Sequence, residues 1–420
     1  MSPHRYEQYV DSHDPRLGRT PAHWPVVMLK RIATLVYGEA LPHERRNEEG
    51  TVPVYGSNGA FGMHDEQNTG APVIFIGRKG SCGALRWSER PGFAIDTVYF
   101  IDEANSVADL RWLYWGLSIL GLESASQDTG VPGLSREVAY EARLPLPTKA
   151  EQRAIAAFLD RETAKIDALV TEQERLIALL AEKRRAVISH AVTKGLDPNA
   201  PMKDSGIEWL GEVPAHWDVR RLGTLFKEVA DEGFDGLPIL SVSIHDGVSD
   251  RELNDEELDR KVTRSDDLSK YRRVEPGDLV YNMMRAWQGG FGTVKVAGMV
   301  SPAYVIARPL TDLNASFVEH VLRTPCAIEE MRRNSKGVTD FRLRLYWDEF
   351  KHIEVAVPPA MEQSLIERFL CQRTSTLDAL TTEAERAIAL LKERRAALIS
   401  AAVTGKIDVR ETVEVEEAAA

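Results

Sequence analysis

Two stretches of the chain carry the same helical pattern of apolar and polar residues. The first begins at Glu151 and the second at Glu362, and they align without a gap at an offset of 211 residues, with more than half of their positions identical. Apolar residues recur every eleven positions in both, which is the repeat of a nearly straight helix with a weak right-handed drift. The pattern predicts two long α-helices, at residues 148–195 and 359–405, that pack on each other.

The predicted contact between these helices follows the apolar stripe. A seven-residue repeat that starts at Ile166 and Leu169 meets the polar residues Gln173 and Lys183, so the eleven-residue repeat is favoured. Thr148 and Glu151 form a capping box that predicts the start of the first helix. The residues expected to pair the helices are Ile166, Leu169, Ile177, Leu180, Leu377, Leu380, Ile388 and Leu391.

A second repeat precedes each globular region. The sequence Pro-Ala-His-Trp ends at Trp24 and again at Trp217, at an offset of 193 residues. The simplest interpretation is a turn with a buried tryptophan that anchors a globular domain, with His23 and His216 as structural residues. The expected fold is α+β, with two α/β globular domains joined by the long helices. The expected division is a first head and globular region at 1–147, the helix at 148–195, a second head and globular region at 196–358, the helix at 359–405, and an acidic tail at 406–420.

Each globular region contains a strand followed by a glycine-rich turn, at 72–83 and at 278–292. Arginine and glutamine side chains can read base edges in the major groove, and lysine suits phosphates. A tandem repeat with antiparallel helices also has an internal two-fold axis, as duplex DNA does. The alternative is that the glycines only shape tight hairpins. The residues predicted to contact DNA are Arg78, Lys79, Ser81, Arg86, Arg272, Arg285, Gln288 and Ser301.

Composition narrows the class of protein. A net charge of −12 argues mildly against a simple basic nucleic-acid binder. The cysteines Cys82, Cys326 and Cys371 are too far apart to predict a disulfide framework or a zinc site. Without a membrane-length apolar run or a leader, we expect a soluble, cytoplasmic protein. The sequence has no phosphate-binding loop and no metalloprotease or nucleophile motif, so we expect neither a catalytic nor a metal site.

The duplicated head, the Pro-x-x-x-Glu-Gln start of each long helix and the Ala-Val-Thr end of each helix resemble one family. The chain resembles the DNA-specificity subunit of a Type I restriction–modification system over nearly its whole length. The resemblance implies two target-recognition domains that read a bipartite, asymmetric site on double-stranded DNA, and helices that form an antiparallel coiled coil.

The same resemblance implies the partners. Two methyltransferase subunits would bind S-adenosylmethionine and methylate adenine, and endonuclease/translocase subunits that use ATP and Mg²⁺ would join them. This chain would itself bind no cofactor. Three alternatives stay open: a specificity subunit whose partner fuses methylase and nuclease, a coiled-coil scaffold that does not bind DNA, and a stand-alone methyltransferase.

Overall fold

The structure is a computed structural model that describes residues 5–125, 133–233, 236–244, 247–251, 253, 270–337 and 343–410. Residues 411–420, most of the predicted acidic tail, lie outside the described residues. The chain divides into two compact units, one of Met1–Glu174 with Glu385–Ala420 and the other of Arg175–Ala384. Each unit thus combines one globular region with about half of each long helix. The helices do not form a unit of their own.

The first unit is built on a four-stranded antiparallel sheet with the strand order β4-β10-β7-β8. A three-stranded sheet, β6-β5-β9, and the pairs β1–β2 and β3–β11 complete its β-structure. Its strands are β1 (Tyr9–Asp11), β2 (Arg19–Pro21), β3 (Val26–Met28), β4 (Val36–Tyr37), β5 (Val52–Gly56), β6 (Gly59–His64), β7 (Val73–Gly77), β8 (Leu85–Ser88), β9 (Phe93–Ala94), β10 (Val98–Asp102) and β11 (Arg143–Pro145). Its helices are α1 (Leu110–Ser118), α2 (Arg136–Glu141), the first half of α3 (Lys149–Lys194) and the second half of α8 (Ala360–Val403).

The second unit repeats the four-stranded sheet, with the order β15-β22-β19-β20. Its strands are β12 (Met202–Asp204), β13 (Glu212–Pro214), β14 (Asp218–Arg221), β15 (Phe226–Val229), β16 (Val242–Ser243), β17 (Gly247–Val248), β18 (Arg272–Val274), β19 (Leu279–Asn282), β20 (Phe291–Thr293), β21 (Gly298–Val300), β22 (Tyr304–Pro309) and β23 (Glu354–Val357). Its helices are α4 (Leu222–Leu225), α5 (Ala315–Leu322), α6 (Pro325–Arg333), α7 (Trp347–Phe350), the second half of α3 and the first half of α8.

Beyond this shared frame the units differ. The pairs β12–β13 and β14–β23 of the second unit correspond to β1–β2 and β3–β11 of the first. The first unit contains the β6-β5-β9 sheet. The second unit contains the pairs β16–β17 and β18–β21 and the helix α6. The repeat therefore supplies one frame that carries two different sets of additional elements.

The duplicated heads anchor the ends of the long helices. Trp24 packs in the same core as Ala402 and Val403, and Trp217 in the same core as Ala191 and Val192. His23 Nε2 lies 2.8 Å from Glu151 Oε1. The equivalent atoms of His216 and Glu362 lie 2.7 Å apart. Each histidine is thus held by a glutamate at the start of a long helix, which fits the interpretation of both as structural residues.

The glutamine of each Glu-Gln pair joins three elements. Gln152 Nε2 donates to Pro147 O at 2.8 Å, and its Oε1 accepts from the Asp109 N–H at the start of α1, at 2.7 Å. Gln363 makes the same two bonds, to Pro358 O and from the Asn314 N–H, both at 2.9 Å. Gln152 and Gln363 are both buried. These bonds satisfy backbone groups that would otherwise be unpaired, which gives the duplicated motif a structural reason.

The helix starts agree with the sequence. The Thr148 hydroxyl donates to Glu151 Oε2 at 2.8 Å, and the Thr148 N–H donates to the same atom at 3.0 Å. The predicted capping box is therefore confirmed. The helices α3 and α8 begin one residue after, and end one or two residues before, the predicted bounds.

The predicted eleven-residue stripe is wrong. The sheltered positions of α3 recur at alternating spacings of three and four residues, as in a seven-residue repeat, and α8 repeats the pattern. Leu169 is 51% exposed and Leu380 49% exposed, so neither pairs the helices. Gln173 and Arg184 take sheltered positions because long polar side chains can cover apolar surface while their polar ends reach solvent. The sheltered positions in α3 are Thr163, Ile166, Val170, Gln173, Ile177, Leu180, Arg184, Val187 and Ala191.

The predicted pairing residues other than these two are sheltered. Ile166 is 5% exposed, and Leu180 and Leu377 are each 8% exposed. Ile177, Ile388 and Leu391 are half-buried.

Equivalent ion pairs join the helices within each unit. In the first unit Arg395 Nε lies 2.8 Å from Asp167 Oδ1, and in the second Arg184 pairs with Asp378. Asp378 follows Asp167, and Arg395 follows Arg184, by the same 211 residues as the repeat. In the first unit the start of α3 shares a core with the end of α8. Relative to this shared core, the Asp167–Arg395 pair lies later in the sequence of α3 but earlier in the sequence of α8. The two helices therefore run in opposite directions in this unit.

The second unit contains a partly buried pair of titratable groups. Glu367 Oε1 lies 3.7 Å from His320 Nε2. Burial, reinforced by the nearby Glu319 carboxylate, raises the pKa of Glu367 to about 7. Burial also lowers the pKa of His320. Both groups are therefore favoured in their neutral forms near neutral pH.

We predict that Glu367→Gln stabilises the protein at pH 8. The folded chain keeps a proton that the unfolded chain releases near pH 4.5, the ordinary pKa of a glutamate, so the free energy of unfolding falls as pH rises from there to about 7. Replacing Glu367 should add about 2 kcal/mol at pH 8 and less than about 1 kcal/mol at pH 5, after allowance for its partial exposure. Urea titrations at the two pH values measure this, and equal gains at both would contradict the prediction.

Candidate nucleic-acid interface

The glycine-rich turns predicted from the sequence occupy the same place in both units. One connects β7 to β8 and the other connects β19 to β20, and these strands correspond in the shared sheet. Arg78, Lys79 and Ser81 lie on the first turn, and Arg285 and Gln288 lie on the second. The two turns are therefore topologically equivalent but carry different side chains.

Backbone constraints shape the first turn. A Cβ atom at Gly77 would lie 1.9 Å from Ser81 O, and Gly80 has a φ of +79°. Both positions need glycine, because the first has no room and the second has a left-handed backbone. The turn presents Lys79 and Ser81 to solvent. Arg78 instead lies along the ring of Tyr37, and its Nη1 donates to Asp96 O at 2.9 Å.

The β5–β6 hairpin meets this turn, which the sequence did not predict. A Cβ at Gly80 would lie 3.4 Å from Ser57 Oγ, and one at Gly59 would lie 3.4 Å from Arg86 Nε. Ser57 and the exposed Asn58 form the tip of the hairpin. The hairpin thereby places Asn58 beside two segments, the turn and the exposed Arg86 of β8, that were predicted to contact DNA. Asparagine can bond two edge atoms of adenine at once.

A cavity of about 260 Å³ opens beside this hairpin. Ser57, Asn58 and Phe61 line one side, and Ile95 and Thr97 line the other. Phe61 is 51% exposed, and the Arg46 guanidinium lies 5.1 Å from the centroid of its ring. The cavity therefore offers apolar and aromatic surface next to groups that can donate and accept hydrogen bonds, as a contact with base edges requires.

In the second unit the predicted residues fall into two groups. Arg285 precedes a short 3-10 helix, Ala286–Gln288, whose last residue is the exposed Gln288. Gly289 follows the helix with a φ of +89°. Arg272 opens β18 and pairs with Val300, the residue before Ser301. The Met283 N–H donates to Ala303 O at 3.4 Å, which brings the turn to the segment that contains Ser301.

Among the described ranges, no group of three or more His, Cys, Asp or Glu side chains could hold a metal ion. No helix in the described part of the chain is both long enough and apolar enough to cross a membrane. The glycine-rich turns, the β5–β6 hairpin and its cavity form the candidate site.

Comparison with known families identifies the kind of domain that contains the first of these turns. Residues 21–177 match the model of the Type I restriction modification DNA specificity domain. The matched range contains the β5–β6 hairpin, the turn after β7 and the first half of α3. The resemblance predicted from the duplicated motifs is therefore confirmed.

Relatives extend the similarity to most of the chain. The specificity subunit of the Type I restriction enzyme EcoBI from Escherichia coli is 23% identical over 364 residues, which cover 80% of this chain and 73% of that protein. The EcoKI specificity subunit from Escherichia coli strain K12 is 23% identical over 347 residues, 78% of this chain and 68% of that protein. The similarity thus covers about four fifths of this chain and extends beyond residues 21–177.

Solved structures support the fold. The HsdS subunit from Thermoanaerobacter tengcongensis matches with a TM-score of 0.51 and 15% identity, covering 92% of this chain and 98% of that one. A chain from a structure of complex assembly in the Type I R-M system matches with a TM-score of 0.58 and 15% identity, covering 91% and 98%. At these identities the likeness shows a mixed α/β fold with long helices.

Proposed function

We propose that this chain is the DNA sequence-recognition subunit of a Type I restriction–modification complex, with each unit reading one half of a bipartite, asymmetric target. One observation carries the proposal. The two units share a sheet, head and helix frame but differ in the elements beside the equivalent turns. A frame used twice with different contact surfaces suits a target made of two unlike half-sites, because direct readout depends on which side chains reach the base edges.

The long helices would set the distance between the half-sites. We propose that α3 and α8 form an antiparallel coiled coil along their whole length. The repeated ion pairs, Asp167 with Arg395 and Asp378 with Arg184, support one antiparallel register in both units. The sheltered positions are separated alternately by three and four residues, which is the spacing of a coiled coil. A fixed register would give the spacer a fixed length.

The exposed leucines of the helices suggest where the methyltransferase subunits dock. Leu169 and its equivalent Leu380 are 51% and 49% exposed, and Leu179 and its equivalent Leu390 are 53% and 57% exposed. Large apolar side chains exposed at the same places in both copies mark an interaction surface better than scattered ones do. Two equivalent surfaces fit two copies of one partner. Methyl transfer from S-adenosylmethionine to adenine would belong to that partner, and ATP-dependent cleavage to endonuclease subunits.

The net charge of −12 fits this division of labour. A subunit that binds DNA within a complex can leave part of the phosphate neutralisation to its partners. We therefore expect the isolated chain to bind duplex DNA weakly at physiological salt, and the complex with two methyltransferase subunits to bind its target tightly.

Fluorescence anisotropy with a labelled target duplex and a scrambled duplex tests the proposal. The complex should prefer the target by at least about 10³-fold. The chain alone should show little preference. Nanomolar, sequence-specific binding by the chain alone would contradict the division of labour, and a complex without preference would contradict the recognition function.

A further inference from the structure

Two arginines of the first unit lie against one tyrosine ring, beside the turn between β7 and β8. The Cζ atom of Arg78 is 4.9 Å, and that of Arg136 is 4.8 Å, from the centroid of the Tyr37 ring. Tyr37 is 41% exposed, and both arginines are partly exposed. The three side chains, named here the Arg–Tyr cluster, are therefore accessible from solvent.

Backbone pairing brings these distant residues together. Tyr37 ends β4, Arg78 follows β7 and Arg136 begins α2. The Leu134 N–H donates to Arg78 O at 2.8 Å, and the Tyr99 hydroxyl donates to Leu134 O at 3.0 Å. Tyr99 lies directly opposite Tyr37 in the β10–β4 register. The cluster is thus held by the shared sheet and by the segment that leads into α2.

Carboxylates offset little of the cluster's charge, although the Glu137 carboxylate next to Arg136 interacts with it electrostatically. Among the described residues, neither guanidinium takes part in an ion pair. Asp96 meets Arg78 through its backbone oxygen, and the Glu137 carboxylate accepts from Ser135 Oγ at 2.7 Å. In the described part of the chain, the buried Nε of Arg136 has no hydrogen-bond partner. Two cations beside one ring repel each other, so an anion bound between them would be stabilised.

We propose that the Arg–Tyr cluster binds a phosphodiester group of the DNA backbone. The proposal rests on the function proposed above and deepens it. A guanidinium stacked on an aromatic ring keeps its N–H donors free, and their fork matches two phosphate oxygens. Arg78 then positions the duplex instead of reading a base, and leaves readout to the neighbouring hairpin and to Arg86. Arg136 joins the interface from a helix that lies outside the glycine-rich turn.

Salt dependence of DNA binding tests this role. The complex of the full chain with its methyltransferase subunits is titrated with target and scrambled duplexes over a series of KCl concentrations. Each lost phosphate contact lowers the slope of log K against log salt by about 0.9. We expect Arg136→Gln to lower the slope by about that amount on both duplexes. Arg136→Lys should restore the slope, since it returns the charge. Arg31→Gln, which removes an exposed arginine of the same unit, should leave it unchanged.

The outcomes separate this proposal from the function on which it rests. A wild-type complex that shows no preference for the target refutes the proposed function. A wild-type complex that binds normally while Arg136→Gln, folded as judged by its melting temperature, keeps the wild-type slope refutes the phosphate site. Weakening confined to the target duplex would make Arg136 a base contact and also refute it.

Competition by inorganic phosphate tests the same site. Replacing chloride by phosphate at equal ionic strength should weaken DNA binding more in the wild type than in the Arg78→Gln, Arg136→Gln double variant, because free phosphate competes with the DNA backbone only where the cluster is intact. Equal weakening in both proteins would contradict the proposed contact with the DNA backbone.

Discussion

Leu180→Asp should destabilise the protein by about 3–5 kcal/mol, because it places an unpaired carboxylate where the helices shelter an apolar side chain. Leu180 is 8% exposed. The adjacent Leu179 is 53% exposed and provides a matched control, since Leu179→Asp makes the same chemical change in the same helix. We expect Leu179→Asp to change the free energy of unfolding by less than about 0.5 kcal/mol. Urea titration followed by circular dichroism measures both.

The two variants should also differ in how they affect the partner. Leu179→Asp should weaken co-purification with the methyltransferase, because Leu179 lies on the surface proposed to dock it. Leu390→Asp should do the same at the equivalent position of α8, and the double variant should lose both subunits. Equal destabilisation by Leu180→Asp and Leu179→Asp would contradict the helix pairing. Full retention of the partner by the double variant would contradict the docking surface.

Exchanging residues 29–142 for the matching segment of a relative with another target should change only one half of the methylated sequence. The ends of this segment are adjacent, because the Leu29 N–H donates to Ala142 O at 2.8 Å next to the β3–β11 pair. The junction therefore leaves the head, the bond from Gln152 to Pro147 O and the long helices in place. Each mismatched base pair in a half-site lowers the binding free energy by about 1–3 kcal/mol. Because several pairs of the old half-site would be mismatched, methylation of the old target should disappear.

The second unit provides the reciprocal exchange. The Leu222 N–H donates to Ile353 O at 2.9 Å beside the β14–β23 pair, so residues 222–353 can be replaced in the same way. This exchange should change the other half of the target and keep the spacer. Mapping methylated adenines in cells with each chimera measures both results. A change in both halves, or in the spacer, after a single exchange would rule out independent reading by the two units.

Features that depend on residues close together in the sequence could be predicted better than features that depend on long-range contacts. Thr148 and Glu151 specify a helix start by a bond within one turn, and the glycine-rich turns follow from backbone conformations that few other residues adopt. The predicted repeat of the residues that pair the long helices is wrong because it excludes the polar residue Gln173 from the sheltered positions. In a pair of helices, a long polar side chain can be sheltered along its stem, and the partner decides whether it is.

The missed parts of the site depend on tertiary pairing. Ser57 and Gly59, the neighbours of Asn58, lie beside the turn after β7 and beside Arg86 only because the β5–β6 hairpin folds against them. Arg136 reaches Tyr37 through the pairing of residues 133 and 134 with the turn, which no nearby pattern indicates. The sequence of the hairpin, Gly56-Ser57-Asn58-Gly59, was a usable signal, since such turns are typical of tight hairpins.

The central claim is that this chain directs a methyltransferase to a split, asymmetric DNA sequence. A genome-wide map of methylated adenines, in cells that carry the partner methyltransferase with and without this chain, tests it most directly. We predict one motif with two unlike half-sites and a fixed spacer, present only when the chain is expressed. Active methylation with the same motif in both cells, or a motif with a single continuous site, would contradict the claim.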